Sequence, residues 1–315
     1  MQFRILGLVE VQDERTGLRI LPTGAKQRAL LGALVVKAGQ HVSVPRLIDE
    51  LWGEHPPANA DNALQVHVAR LRRLLAGAEP AGEGPEPAKP HPWITTTSHG
   101  YSLRPATVET DAARFQALAE EARRVLPRDP EHAGELLRRG LSLWRGAALE
   151  GSVLGDICGG RAAQLEELRL TALEMLYDAY LRTGRHGEII GELVELTCDH
   201  PVRERFYDLL MVAFYRSGRQ AEALGVYERA RTRMVRDLGV EPGPALRGLM
   251  EAVLHHDPSL TPRPLPVSPL PLADEMARLH RRIEVLQQEQ SRLLARFEQL
   301  TAAGEGRVAA GSSAV

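Results

Sequence analysis

Aromatic residues are scarce in this chain, at 4% of 315 positions, and only two cysteines occur, Cys158 and Cys198. Two cysteines without metal-ligand spacing exclude a disulfide framework and a zinc site, and they read as packed thiols in a reducing compartment. Long apolar runs are missing as well. Stretches such as Leu30–Val36 are far too short to span a bilayer, and no secretory leader pattern is visible. The expectation is a cytoplasmic protein with no membrane association. No HExxH, nucleophile elbow, GxGxxG or GxxxxGK[ST] phosphate loop is found, and the eleven histidines are scattered. Nothing here points to an enzyme, a cofactor or a bound metal. A strong charge is absent too: 39 Lys and Arg stand against 41 Asp and Glu, a formal net charge of −2. Any nucleic-acid surface must then be a local patch on a nearly neutral protein, resting on a modest number of phosphate contacts. Residues 1–105 do lean basic once the segment 77–92 is left out, with eleven Lys and Arg against seven acids.

What the chain does have is Leu, Ala and Arg in helical patterns, framed at the N-terminus by short β-like runs. Phe3–Gly7, Leu8–Val11 and Leu18–Leu21 read as strands, with turn chemistry between Asp13 and Gly17. From Ala25 the period becomes helical, and Gly39 stops that helix. A brief extended piece around Val42 leads to Pro45, a favourable first-turn residue for a second helix, Arg46–Trp52. The third helix, Ala60–Leu75, has an apolar face of Ala60, Leu64, Val68, Leu71 and Leu75. Its remaining circumference carries Asn62, Gln65, Val66, His67, Ala69, Arg70, Arg72 and Arg73. A Gly-, Pro- and Glu-rich stretch to Pro92 reads as a mobile loop, followed by a hairpin around Ser98-His99-Gly100.

From Asp111 to about His256 the pattern is helical throughout. Gly-containing turns at Gly184 and Gly218 lie thirty-four residues apart, the period of a tetratricopeptide-type repeat. Residues 257–272 hold six prolines and form a linker. Met276, Leu279, Ile283, Leu286, Gln290, Leu293, Phe297 and Leu300 then follow a heptad spacing, which predicts a coiled-coil helix over 273–302 and a disordered tail over 303–315. The expected division is a winged helix-turn-helix over 1–106, an all-α domain over 107–256, the linker, the heptad helix and the tail. The fold class is mainly α, with an α+β winged head.

A helix of about sixteen residues can enter the major groove, where amides such as Asn62 and Gln65 pair with adenine edges and Arg70 reaches guanine or phosphate. His67, Arg72 and Arg73 are placed as phosphate-positioning groups. The hairpin tip, Thr97-Ser98-His99, offers small donors and no carboxylate. Against this stand a helical-repeat adaptor, whose winged head only binds protein, and a repressor with the same DNA contacts.

Several segments together resemble the Streptomyces antibiotic regulatory proteins, which couple a winged helix of the response-regulator output type to a bacterial transcriptional activation domain. They are Phe3–Gly7, Lys26–Leu31, Leu47–Gly53, Ala63–Leu75, Gly100-Tyr101, Leu143–Gly146, Tyr227-Glu228 and Asp237–Pro244. The resemblance covers residues 1–256. It implies an activator of antibiotic biosynthesis genes, bound as a head-to-tail dimer to direct repeats in double-stranded promoter DNA near the −35 region. It also implies recruitment of RNA polymerase through sigma region 4 and the alpha C-terminal domain. Carried onto this chain, Asn62, Gln65, Val66, Arg70 and Arg73 would read the groove, and His67 and Arg72 would hold phosphates. Thr97, His99 and Tyr101 would be wing contacts, although Thr97 stands where relatives commonly have arginine. The heptad helix departs from both short and long family members, and dimerisation, polymerase docking and folding back on the helical domain are its three open roles.

Overall fold

The computed structural model describes residues 2–13, 17–76, 93–104 and 109–261, together with His280, Arg282, Ile283, Gln287 and Gln290. The mobile loop expected over 77–92, most of the linker and heptad seam, and the tail lie outside the described residues.

The head opens with β1 (Gln2–Arg4), β2 (Glu10–Gln12) and β3 (Arg19–Ile20), an antiparallel meander. Three helices follow: α1 (Ala25–Val36), α2 (Val44–Trp52) and α3 (Ala60–Ala76). The short β4 (Val42–Ser43) precedes α2, and β5 (Ile94–Thr97) with β6 (Gly100–Leu103) forms the hairpin. β6 is the middle strand, pairing with β5 on one side and β4 on the other. Gly100 is required there, because a Cβ would lie 2.0 Å from the Val42 carbonyl oxygen. Leu30, Leu34, Leu47, Leu51, Leu64, Leu71 and Ile94 fill the core between helices and sheets.

Two features of the strands differ from expectation. The first run stops at Arg4, because the next backbone groups bond elsewhere. The Ile5 and Leu6 amides donate to the Asp111 carboxylate (2.8 and 3.1 Å), while the Ile5 and Leu6 carbonyls accept from Leu149 and Arg145 (2.8 and 2.9 Å). A further strand, β7 (Glu109–Thr110), pairs in parallel with β1 and joins the first sheet at its edge.

Beyond β7 run α4 (Asp111–Val125), α5 (Pro130–Leu141), α6 (Asp156–Arg182), α7 (Ile190–Asp199), α8 (Glu204–Arg216), α9 (Gln220–Leu238) and α10 (Pro244–Leu254). The segment 142–155 is not helical, contrary to the unbroken pattern expected; it is the piece that bonds along Ile5–Gly7. The thirty-four-residue repeat holds in detail. Gly184 (φ 79°) and Gly218 (φ 75°) take the left-handed conformation that lets a helix end in a tight turn. Arg185 N–H donates to Tyr180 O and Arg219 N–H to Phe214 O, at 2.8 and 2.9 Å. Each arginine also lies over that aromatic ring, at 4.2 and 4.5 Å, and pairs with Glu188 or Glu222.

The hydrophobic core does not stop at residue 106. One cluster runs from Phe3 to Leu176 and includes Phe115, Leu137 and Leu165; a second begins at Tyr177 and reaches Leu260. The change falls inside α6, whose 27 residues extend about 40 Å.

Candidate nucleic-acid interface

Asn59 starts α3 by accepting from the Asn62 amide with its side-chain oxygen (3.4 Å), a polar N-terminal cap. Leu64, Val68, Leu71 and Leu75 are then buried with no more than 2% exposure, leaving a broad outer face. On it Asn62, Gln65, Val66, Arg70 and Arg73 are all exposed. One carboxylate, Asp61, shares that face in the first turn, where the helix dipole favours it. Neither Arg70 nor Arg73 has an ion pair among the described residues. Two amides and two unneutralised guanidinium groups therefore stand in one stripe, the donor and acceptor set that pairs with base edges.

His67 and Arg72 border this stripe on opposite sides, and both are bound to protein. Arg72 Nη2 donates to Ile94 O (3.1 Å) and Thr96 Oγ1 (2.6 Å), tying α3 to the first strand of the hairpin. The His67 ring meets the Trp52 ring edge-on, 5.9 Å between centroids. Burial, then the nearby positive charges of Arg70 and Lys26, hold the His67 imidazole below its usual value. It is therefore neutral near pH 7, and toward a phosphate it offers an N–H rather than a charge.

At the hairpin tip Ser98 and His99 are exposed, and Ser98 Oγ lies 2.7 Å from His99 Nδ1. Thr97 is half-buried and donates from its hydroxyl to Gly100 O (3.2 Å). Tyr101 departs from its expected place. It is 7% exposed and belongs to the core behind the hairpin, so it supports the tip rather than presenting itself there. All four residues of β6, the middle strand, are buried.

Sequence reasoning missed the joint between this head and the helices behind it. Glu50, on α2, is 2% exposed, and its oxygens accept from the Ile157 and Cys158 amides (2.7 and 3.0 Å). A carboxylate from the head thus caps the N-terminus of α6, where free N–H groups and the helix dipole favour an anion. The N-cap residue is Gly155, and a Cβ there would fall 2.7 Å from Glu50. Cys158 sits in the same joint and donates to Ala29 O (3.6 Å); burial and the Glu50 charge push its thiol up. Nearby, buried Glu10 receives Arg4 (3.0 Å), Arg19 (2.5 Å) and Arg145 (2.9 Å). Arg145 also reaches Asp111 (3.1 Å). Arg145 and Glu50 lie in the Leu143–Gly146 and Leu47–Gly53 signatures, but neither segment shows which distant group its side chain meets.

Among the described residues no group of His, Cys, Asp and Glu is arranged to hold a metal, and no helix is long and apolar enough to cross a membrane. Residues 19–103 match the family described as "Transcriptional regulatory protein, C terminal", and residues 110–254 match "Bacterial transcriptional activator domain". Transcriptional regulator RedD of Streptomyces coelicolor is 41% identical over 260 residues, covering 82% of this chain and 72% of RedD. Regulatory protein DnrI of Streptomyces peucetius is 38% identical over 261 residues, covering 82% of this chain and 94% of DnrI. Among solved structures, Mycobacterium tuberculosis EmbR in complex with a low-affinity phosphopeptide superposes with a TM-score of 0.72 at 33% identity. That match covers 82% of this chain and 65% of EmbR. With a winged head, helical repeats and relatives of this kind, the chain belongs to the Streptomyces antibiotic regulatory protein family of transcriptional regulators.

Proposed function

We propose that this chain activates transcription of a set of secondary-metabolite genes by binding direct repeats near the −35 promoter region and recruiting RNA polymerase. In this reading Asn62, Gln65, Val66, Arg70 and Arg73 face the bases, and the hairpin tip with Thr97 and His99 approaches the flanking backbone. The observation that carries it is the exposed stripe on α3, whose guanidinium groups have no acidic partners among the described residues while its opposite side is buried. Such a stripe matches the edge chemistry of the major groove. The helical repeats, joined to the head through α6, would carry contacts to sigma region 4 and the alpha C-terminal domain. Two copies would sit side by side on the repeats.

The test combines a footprint on the promoters of the gene cluster encoding this protein with transcription in vitro by polymerase carrying the cognate sigma factor. A footprint spanning two repeats, with increased transcript, is the expected outcome. A footprint with reduced transcript would make the chain a repressor, and no footprint would leave a protein-binding adaptor.

A further inference from the structure

Three elements converge on the His67 side of α3. Lys26, in the first turn of α1, places its ammonium 4.9 Å from the centroid of the Trp52 ring at the end of α2. The Trp52 ring also meets His67 on α3, which feels the charges of both Lys26 and Arg70. Lys26 has no acidic partner among the described residues. A cation held over an aromatic face is restrained in direction, yet keeps its charge available to a second partner. The opposite border of the stripe is occupied by the hairpin, through Arg72. A groove helix is about 10–12 Å across with its side chains, close to the width of the major groove, so each border faces the phosphates of one strand.

Resting on the reading of α3 as the groove helix, we propose that Lys26, aimed by Trp52, contacts a backbone phosphate on the side of the groove away from the hairpin. The head then grips both walls of the groove: the hairpin tip at one, and Lys26 beside Arg70 at the other. Lys26 carries no base information, so its contribution is equal on all sequences.

The experiment uses the full chain and two unrelated duplexes of about 30 base pairs, with affinity followed by fluorescence anisotropy over a range of salt concentrations. For Lys26→Gln the slope of log K against log salt should fall by about 0.9, the value of one lost phosphate contact, with binding weakened about tenfold or less and equally on both duplexes. Lys26→Arg should restore the slope. Arg70→Gln and Arg73→Gln serve as reference changes. If they flatten the slope while Lys26→Gln leaves it unaltered, Lys26 lies outside the interface and the proposal fails alone. Weaker binding at an unaltered slope would overturn it too, by assigning Lys26 to packing on Trp52. If none of the three changes acts, α3 is not the groove helix and both readings fall.

Discussion

The helical repeats and the outer face of α3 differ in how several of their arginines are placed. In the helical repeats Arg182, Arg185, Arg203, Arg219, Arg231 and Arg236 each lie against an acid. On the outer face of α3, Arg70 and Arg73 have no such partner among the described residues. A net charge of −2 is therefore a sum over unlike surfaces, one rich in ion pairs and one with cations that have no acidic partner among the described residues. Between them lies a third arrangement, in which Glu10, Glu50 and Asp111 are buried and satisfied by arginines or backbone amides. The lesson is that the global charge of a regulator says little about where it meets DNA. Whether each cation already has a partner says more.

The largest effect should come from the arrangement in the middle. Arg145→Ala strips Glu10 and Asp111 of a shared partner at the joint, and breaking such buried pairs costs about 3–5 kcal/mol. Denaturant unfolding of the full chain would show it as a lower midpoint; an unmoved midpoint would make the joint incidental. The outer face of α3 comes next. Arg70→Ala should weaken specific binding by about 1–3 kcal/mol and relax one base position, with the melting temperature unchanged. Arg72→Ala should instead loosen the hairpin, weakening all sequences alike and lowering the melting temperature. Binding titrations against an operator and its single-base variants separate the two, and identical behaviour would end the division between reading and supporting residues.

Smaller still is the expected effect of Asp208, whose carboxyl is pushed up to about 6, mainly by burial. Its folded-state value lies above the ordinary aspartate value, so the ionised form disfavours folding. Stability should rise as pH falls from about 6 toward 4. Asp208→Asn should melt above the parent at pH 7 and with it near pH 4; a gap that persists at pH 4 would place the cause elsewhere. Least of all should follow from Arg219→Ala, which removes an exposed pair with Glu222. Melting and DNA affinity should both stay within experimental scatter, and a loss of binding would mean that the repeats too present charge to DNA.

Much of this was legible in the chain, for a physical reason that also marks its limit. The 3.6-residue period of Leu64, Val68, Leu71 and Leu75 set both faces of α3, and the glycines at 184 and 218 set the repeat, because these are local patterns. Tyr101 was placed at the wing by the family resemblance, which carries no information on burial, and in this chain every residue of β6 is buried. The joint was invisible for the opposite reason. The bonds from Asp111 to Ile5 and from Glu50 to Ile157 each span more than 100 residues, and a carboxylate that caps a distant helix looks like any other surface acid.

The Glu50 cap has a mechanical consequence. With its N-terminus gripped by α2, α6 is a stiff lever about 40 Å long whose near end is fixed to the head. A rotation of only about 5° at the joint carries the far end through roughly 3–4 Å, close to the spacing of adjacent base pairs. In the proposed DNA complex, a partner bound to the repeats would thereby adjust the angle at which the head meets its site. Conversely, on the proposed direct repeats the register of the head would fix where the helical repeats are offered to the next molecule along.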